Sequence, residues 1–373
     1  MARTIIVGGG VYGTAIAWGL ASRGVEVQLL EAQTVASGAS GGPGRRGVRA
    51  NYRDHRELPL MARAREIWPG LHETLGTDPL FERTGHLMLI ERERDLANAE
   101  ARVVLQNRHG IPTSMLPAAA VRDLEPGVAP SIIAAVHCPG DGVSDHTATT
   151  KAFAAKANEV GVDLRQGVRI ANVIERNGRA AALETVDGEE IAIGGDLFLF
   201  ANSSVRDLVR PWAELPTWNL ALQVLVSRPL ADNPVRHLIG HASRTLSLKA
   251  EEGGRLMISG GHLGHWDPET RTGSALPDAI KANVADAVAV YPSLAGLEVE
   301  VADANHLEAE SLDSIPTIDR VPGLSNAFMG CGWTGHGWAI APAVAEMVTS
   351  WALDGTRPQA LAPFAYDRFA LAS

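Results

Sequence analysis

Cysteine is almost missing from this chain: Cys138 and Cys331 are the two thiols in 373 residues. Two cysteines cannot build a disulfide framework or a four-thiolate metal site, and their scarcity fits a reducing compartment. An excess of positive charge is missing too. Lysine and arginine total 33 against 43 aspartates and glutamates, a net charge of −10. That balance disfavours nucleic acid or an anionic membrane surface as the main partner. Local basic clusters such as Arg45, Arg46 and Arg49 then need a local reason. No apolar run reaches the roughly 20 residues that cross a bilayer. No signal peptide is expected ahead of the first strand, which begins by Arg3 or Thr4. These absences predict a cytoplasmic location, where the Asn202-Ser203-Ser204 sequon is idle. Internal repeats, long linkers and low-complexity tails are absent as well. The rest is ordinary globular composition, 46% hydrophobic and 20% charged, long enough for two or three domains with large cores.

The opening of the chain is the informative part. Residues 4–7 form an apolar run of strand type, followed at once by Gly8-Gly9-Gly10-Val11-Tyr12-Gly13. Residues 14–22 read as a helix and 25–30 as a second strand, which Glu31 ends. This is a βαβ unit with G-x-G-x-x-G at its first turn and an acid about twenty residues on. Gly8 permits the tight turn, Gly10 lets a pyrophosphate approach the backbone, and Gly13 lets the helix pack close to the strand. The helix N-terminus offers free N–H groups and partial positive charge to the phosphates. Glu31 can accept from a ribose diol and would repel a 2′-phosphate. The unit points to FAD or NAD rather than NADP. A glycine-rich structural turn is the competing reading; the two flanking strands and the acid argue against it.

Further along, the stretch 36–44 is rich in small residues. Composition makes it a flexible loop, and its place after the acidic strand end makes it a loop against a cofactor. Helices are expected over 58–75, 95–109, 117–125, 147–160 (capped by Asp145), 205–210 and 277–291. Strands are expected over 85–90, 137–142, 164–175, 180–185, 190–193, 197–201, 222–226, 245–248, 255–259, 299–305 and 327–329. Asn177-Gly178 and Asp187-Gly188 read as hairpin turns. A second G-x-G-x-x-G stands at Gly330, Gly332 and Gly335, followed by a helix through Trp351. Only 36 residues follow Gly337, too few for another βαβ unit, so this turn is expected to cradle the same ligand from a second side.

Taken in order, several blocks resemble the D-amino-acid oxidase, sarcosine oxidase and glycine oxidase family of flavoproteins. They are Gly8–Gly13, Glu31, Gly38-Ala39-Ser40-Gly41, the apolar strand into Ala201-Asn202-Ser203, the 313–319 block Asp-Ser-Ile-Pro-Thr-Ile-Asp, and Gly335-His336-Gly337. The resemblance implies an α/β fold (α+β overall): a discontinuous Rossmann-type FAD-binding domain over 1–80, 140–215 and 320–373, and a substrate domain on an antiparallel sheet over 81–139 and 216–319. It implies oxidation of a C–N bond to an imine by hydride transfer to flavin N5, then imine hydrolysis. Gly8, Gly10, Val11, Tyr12, Gly13 and Glu31 carry over as the pyrophosphate and ribose side. Ser40, Gly41 and Arg46 would lie along the flavin, Val168 would meet the adenine through its backbone, and Ala201 and Gly332 belong to the same set. Gly335, His336 and Gly337 would meet the pyrimidine edge of the ring, where a helix N-terminus stabilises negative charge.

Three residues carry the substrate expectations: Arg49, His336 and Glu308. Arg49 aligns with the arginine that grips a substrate carboxylate, since a guanidinium fork suits that group; a surface arginine in a basic loop is the alternative. His336 is either catalytic or a plain helix cap. Glu308 stands where many members have arginine or tyrosine; facing the pocket, it would favour a cationic group or bulkier secondary amine. Ala339 replaces a second carboxylate-gripping lysine of sarcosine-type members, and Ser203 replaces a usual glycine. His306 falls where covalent-flavin members carry cysteine, so FAD is expected to be noncovalent. Trp333 and Trp338 wall the pocket or fill the core, and Lys249 either activates oxygen or sits on a surface strand. His262, His265 and Trp266 lie in a loop that could cover the site. His-x-x-His lacks an acid or thiol at ligand spacing, so no metal is expected. Expected partners are a small amine or amino acid and oxygen or another electron acceptor, with a homo-oligomer or complex subunit as options. The alternatives are a flavin subunit of a multi-subunit amine or opine dehydrogenase, and an NAD-dependent dehydrogenase.

Overall fold

The computed structural model describes residues 3–42 and 44–370. A six-stranded sheet organises the first half of the architecture. Its order is Thr317–Arg320, Ala327–Cys331, Leu197–Leu199, Thr4–Val7, Val27–Glu31, Asp163–Gln166. All neighbours are parallel except the Thr317–Arg320 edge strand. The central strands are buried on both faces, which is why Leu197–Leu199 and Ala327–Cys331 are unbroken apolar runs. Phe198 and Phe328 stack at 4.8 Å across adjacent strands, with Trp351 edge-on to Phe328 at 5.3 Å. Such pairs add about 1 kcal/mol beyond the area they bury.

Helix Val11–Ala21 lies on this sheet, against helices His146–Glu159 and Gly337–Asp354. Close approach needs small residues: a Cβ on Gly19 would meet Thr349 Oγ1 of the closing helix at 2.9 Å. Asp145 caps its helix as expected, accepting from Ala148 N at 2.7 Å.

An eight-stranded, mostly antiparallel sheet forms the other half. Its order is Val299–Asp303, Val224–Ser227, Arg255–Ser259, Ser247–Glu251, Leu238–His241, His86–Ile90, Ala134–Cys138, Ser114–Pro117. Only Leu238–His241 and His86–Ile90 run parallel. Strand alternation splits it into two faces. Leu87, Leu89, Leu225, Ile239, Leu248 and Ile258 face a separate core. His86, Met88, Lys249, Met257 and Ser259 lie on the opposite face, which takes part in the site below.

Several elements differ from the sequence expectation for identifiable reasons. The strand expected over 164–175 is two strands in different sheets, Asp163–Gln166 and Ile170–Arg176. Gly167 separates them with φ +76°, a left-handed conformation that ends ladder pairing. The helix expected over 58–75 breaks into Leu58–Ile67 and Leu71–Leu75. Pro69 lacks the N–H that would continue it, leaving one 3-10 turn at Trp68–Gly70. Residues 137–142 are not one strand: Ala134–Cys138 ends, and Gly142–Asp145 pairs elsewhere, with Arg45–Val48 and Phe81–Glu82. The edge strand Thr317–Arg320 pairs with Ala327–Cys331, Thr317 lying opposite Cys331. The Asn177-Gly178 hairpin is present, with φ of +55° and +71°.

Candidate cofactor and substrate site

The opening turn is shaped by clearance between backbone atoms. A Cβ on Gly13 would stand 1.9 Å from the Gly8 carbonyl oxygen. Gly8 has φ +115°, and a Cβ there would stand 2.5 Å from Phe200 O and 3.0 Å from Ala201 Cα. Gly10 has nothing within 4 Å, so one side of the turn is open where the others are packed. Helix Val11–Ala21 begins at that opening with no side-chain cap and no acidic residue in its first turn. An anion-ready N-terminus beside a glycine with free space is what a pyrophosphate requires. The turn fits a dinucleotide.

Glu31 holds this turn as well as facing it. Its Oε2 accepts from Gly9 N at 2.7 Å and its Oε1 from Gln33 N at 2.8 Å. A Cβ on Gly9 would run into the Glu31 side chain at 2.8 Å. Gly9 is therefore a requirement that the sequence reading did not single out. Each carboxylate oxygen retains a lone pair for a diol. Val168 N donates to Glu31 O at 2.9 Å and Ala36 N to Gly9 O at 3.2 Å, so both neighbouring segments gather at the strand end.

The closing turn meets the opening one. Tyr12 Oη donates to Gly337 O, across 325 residues of chain. The Tyr12 ring stacks on Trp333 at 3.9 Å with an interplanar angle of 14°. Tyr12 and Trp333 are thus buried ties between the two turns, and the core reading holds for Trp333. Gly332, Thr334 and Gly335 all have positive φ, at +79°, +52° and +68°. They turn the chain so that His336 becomes the N-cap of helix Gly337–Asp354.

Glu308 is 5% exposed, and each of its carboxylate oxygens is engaged by the protein. Oε1 accepts from Gly335 N at 2.8 Å and Oε2 from Asn202 Nδ2 at 3.1 Å. Burial raises its pKa, while the hydrogen bonds from Gly335, Ser40 and Asn202 pull it down. The carboxylate braces the closing turn, the Ala201–Asn202 corner and the Ser40 loop. A glutamate can be spent this way because backbone N–H groups at a left-handed turn have no partner of their own.

Cations line the other side. Arg45–Val48 is a strand, not a basic loop. From it Arg46 donates to the carbonyls of Arg45, Ser40 and Gly42, while Arg49 donates to Asn51 O at 2.7 Å. Lys249, 4% exposed, donates to Ser259 Oγ at 3.2 Å. Among the described residues none of the three forms an ion pair. Burial pushes Arg46 and Arg49 down to about 10 and Lys249 to about 7, with Arg46 and Arg49 adding to the effect on Lys249. His336 is held far below its ordinary value by burial, then by Arg49 and Arg53, and is neutral. Buried His86 is likewise neutral, through burial and then Arg49. Lys249 is buried and Arg46 and Arg49 are half-buried, and cations held away from water without a carboxylate partner are chemically suited to receive an anion. Lys249 gains a structural setting here, while Arg53, Asn202 and His86 were not singled out as site residues. The Arg53–Glu57 spacing of four was the available signal.

The lowered Lys249 pKa carries a stability consequence of definite sign. Between pH 7 and 10.5 the unfolded chain holds a proton on this lysine that the folded chain lacks. The cost of burying it is full below about pH 7 and vanishes above 10.5. Lys249→Met is expected to be more stable than wild type at pH 7, with the gap narrowing as pH rises. Urea unfolding of both apoproteins at pH 7 and 9.5 checks this; a constant gap rejects it.

A parallel sheet with a glycine-rich βα turn, facing a second glycine-rich helix start, defines a dinucleotide-dependent enzyme of the Rossmann class. The chain belongs to the family described as FAD dependent oxidoreductase, whose model matches residues 3–351. This makes it an FAD-dependent oxidoreductase and sets the NAD-dependent dehydrogenase alternative aside. It is 25% identical over 380 residues to the sarcosine oxidase subunit beta of Arthrobacter sp, covering 98% of this chain and 90% of that one. It is 25% identical over 366 residues to the glycine oxidase of Pseudomonas putida, covering 95% of each. The crystal structure of L-proline dehydrogenase from P. horikoshii shares the fold, with a TM-score of 0.89 at 24% identity, covering 99% of this chain and 97% of that one. No described helix is long and apolar enough to cross a membrane.

Proposed function

We propose that this enzyme oxidises the C–N bond of an amino acid or of a secondary or N-alkylated amine to an imine, which water then hydrolyses. The observation that carries the proposal is the cluster of three cations without ion-pair partners among the described residues, half-buried Arg46 and Arg49 and buried Lys249, beside the place where the two glycine-rich turns meet. The similarity to a sarcosine oxidase subunit and a glycine oxidase supports an amine substrate bearing a carboxylate.

FAD, when bound, supplies the two-electron acceptor. Gly8 to Gly13, Glu31, Val168 and Ala201 would hold its nucleotide end, and Ser40, Gly41, Arg46, Gly332, Gly335, His336 and Gly337 its flavin end. Arg49 clamps the substrate carboxylate, and its fixed fork limits how the α-carbon can be presented. The positive end of the closing helix stabilises negative charge that develops nearby. His336, neutral, contributes no charge of its own and can only donate or accept a hydrogen bond. Glu308 orients the closing turn rather than the substrate.

Further proposals are finer. FAD is held noncovalently: His306, at the position of the linking cysteine, is engaged with Asp303 Oδ1 at 3.3 Å, and both cysteines are free and buried. The free cysteines also fit a cytoplasmic location. The FAD-binding domain comprises 1–80, 140–215 and 320–373, and the substrate domain 81–139 and 216–319. The acceptor is oxygen or another oxidant. A second reading, a flavin subunit of a larger amine dehydrogenase, is favoured by the word "subunit" in the relatives' names.

The test is an anaerobic screen of the flavin-loaded protein with N-methyl amino acids, D-amino acids, cyclic imino acids and simple amines. Bleaching of the flavin by at least one carboxylate-bearing amine is expected; bleaching by none rejects the proposal. Prompt recolouring in air separates a free oxidase from the subunit reading.

A further inference from the structure

The Arg53 side chain joins the cationic wall to the closing turn. Its Nε donates to the Arg49 carbonyl at 2.6 Å and its Nη2 to the His336 carbonyl at 2.8 Å. Its Nη1 pairs with Glu57 Oε2 at 3.2 Å, in a salt bridge whose side chains are 2% and 1% exposed. A buried ion pair adds little stability over apolar residues of similar size, so stability alone is a weak reason for this one. A guanidinium is planar and its N–H directions are rigid. Here three directions are used at once, two of them on carbonyls of segments far apart in the chain, the Arg49 segment and the closing turn.

We infer that Arg53 is a positioning residue: it sets the backbone of the clamp Arg49 and the cap of the closing helix against each other, so that carboxylate grip and helix N-terminus act together on one substrate and one flavin. The inference rests on the reading of the site given above. Glu57 has the right place to serve this arrangement, since it neutralises a charge that would otherwise add to the cations already gathered there. Arg53 also depresses Arg49 and His336 electrostatically, behind burial in both cases. The grip and the turn are therefore coupled through charge as well as through geometry. Arg102 adds a further hold on the segment, donating to Arg53 O at 3.2 Å.

The test compares wild-type holoenzyme with Arg53→Lys and Arg53→Met. Lysine keeps the charge but offers one compact ammonium that cannot span two diverging carbonyls. Three quantities are read: the FAD-to-polypeptide ratio, the affinity for acetate from its perturbation of the flavin spectrum, and the two-electron potential of the bound flavin. Arg53→Lys is expected to keep its FAD and to bind acetate about tenfold more weakly. Its ratio of reduced to oxidised flavin should fall about tenfold at a given poise, a potential about 30 mV more negative. Arg53→Met is expected to show larger losses in both. A lysine variant that matches wild type in either acetate affinity or potential overturns the inference, because the two sides are then not set by one group. Loss of FAD or of folding in both variants also overturns it, leaving Arg53 a structural residue. Wild-type protein that carries FAD but ignores acetate is a different failure. It removes the carboxylate reading of the wall, whereas the potential of Arg53→Lys is measured without any substrate.

Discussion

Gly10→Ala is expected to strip the enzyme of FAD without unfolding it, whereas Gly13→Ala should disrupt the fold itself. The contrast follows from clearance. A methyl group on Gly10 meets no protein atom within 4 Å, and the glycine has φ −79°, which alanine adopts freely. The added methyl occupies only the space that a pyrophosphate needs. FAD affinity should fall at least about 100-fold, equivalent to roughly 2.7 kcal/mol, while the apoprotein keeps its melting temperature. On Gly13 the same methyl would sit 1.9 Å from the Gly8 carbonyl oxygen. Backbone at the centre of a packed βα unit cannot give way at low cost, and overpacking costs about 1–3 kcal/mol or more. Melting curves of the two apoproteins, with FAD titrations, check the pair. If Gly10→Ala binds FAD as wild type does, the opening turn is not the pyrophosphate cradle.

Arg49→Ala should raise KM for a carboxylate-bearing substrate about 100-fold while flavin content stays near wild type. Removing one partner of a buried, hydrogen-bonded charge pair costs about 2–5 kcal/mol. Burial holds the Arg49 guanidinium at about 10, still charged at neutral pH; Glu57 and Asp141 offset this in part, but no described carboxylate forms an ion pair with it. Among the described residues its side chain makes one hydrogen bond, to Asn51 O, which leaves most of its donors for a ligand. Arg49→Lys should recover only part of the loss, since a point charge cannot reproduce the paired fork. An unchanged KM in Arg49→Ala would move the clamp to Arg46 or Lys249. A loss of flavin affinity as large as the rise in KM would instead make Arg49 part of the cofactor cradle.

The particular residues show where sequence reasoning reached and where it stopped. The turn from Gly8 to Gly13 and the acid at Glu31 were legible because each has a local job. Even there, Gly9 was overlooked, although its N–H and its missing Cβ are both needed to seat Glu31. Arg49 was read as a substrate clamp, with a surface arginine in a basic loop as the alternative. A strand at Arg45–Val48, hidden in a glycine- and arginine-rich stretch of low strand propensity, ends just before Arg49 and leaves it half-buried. Glu308 was read by its place in an alignment of types, which says nothing about the direction of its carboxylate. Gly335 and Asn202 claim both of its oxygens. Arg53 carried only a spacing of four to Glu57, a pattern common on surface helices.

The chain's order of residues determined the cofactor class and the α/β opening, since glycine torsions, strand periodicity and helix-end charge depend on neighbours a few positions away. The pairing of Tyr12 with Gly337 and Trp333, the bracing duty of Glu308, and the neutral states of His86 and His336 were decided only by the tertiary structure. Ionisation and hydrogen-bond partners depend on which distant segments exclude water from a group, and that exclusion exists only once the two sheets and the closing helix have packed together.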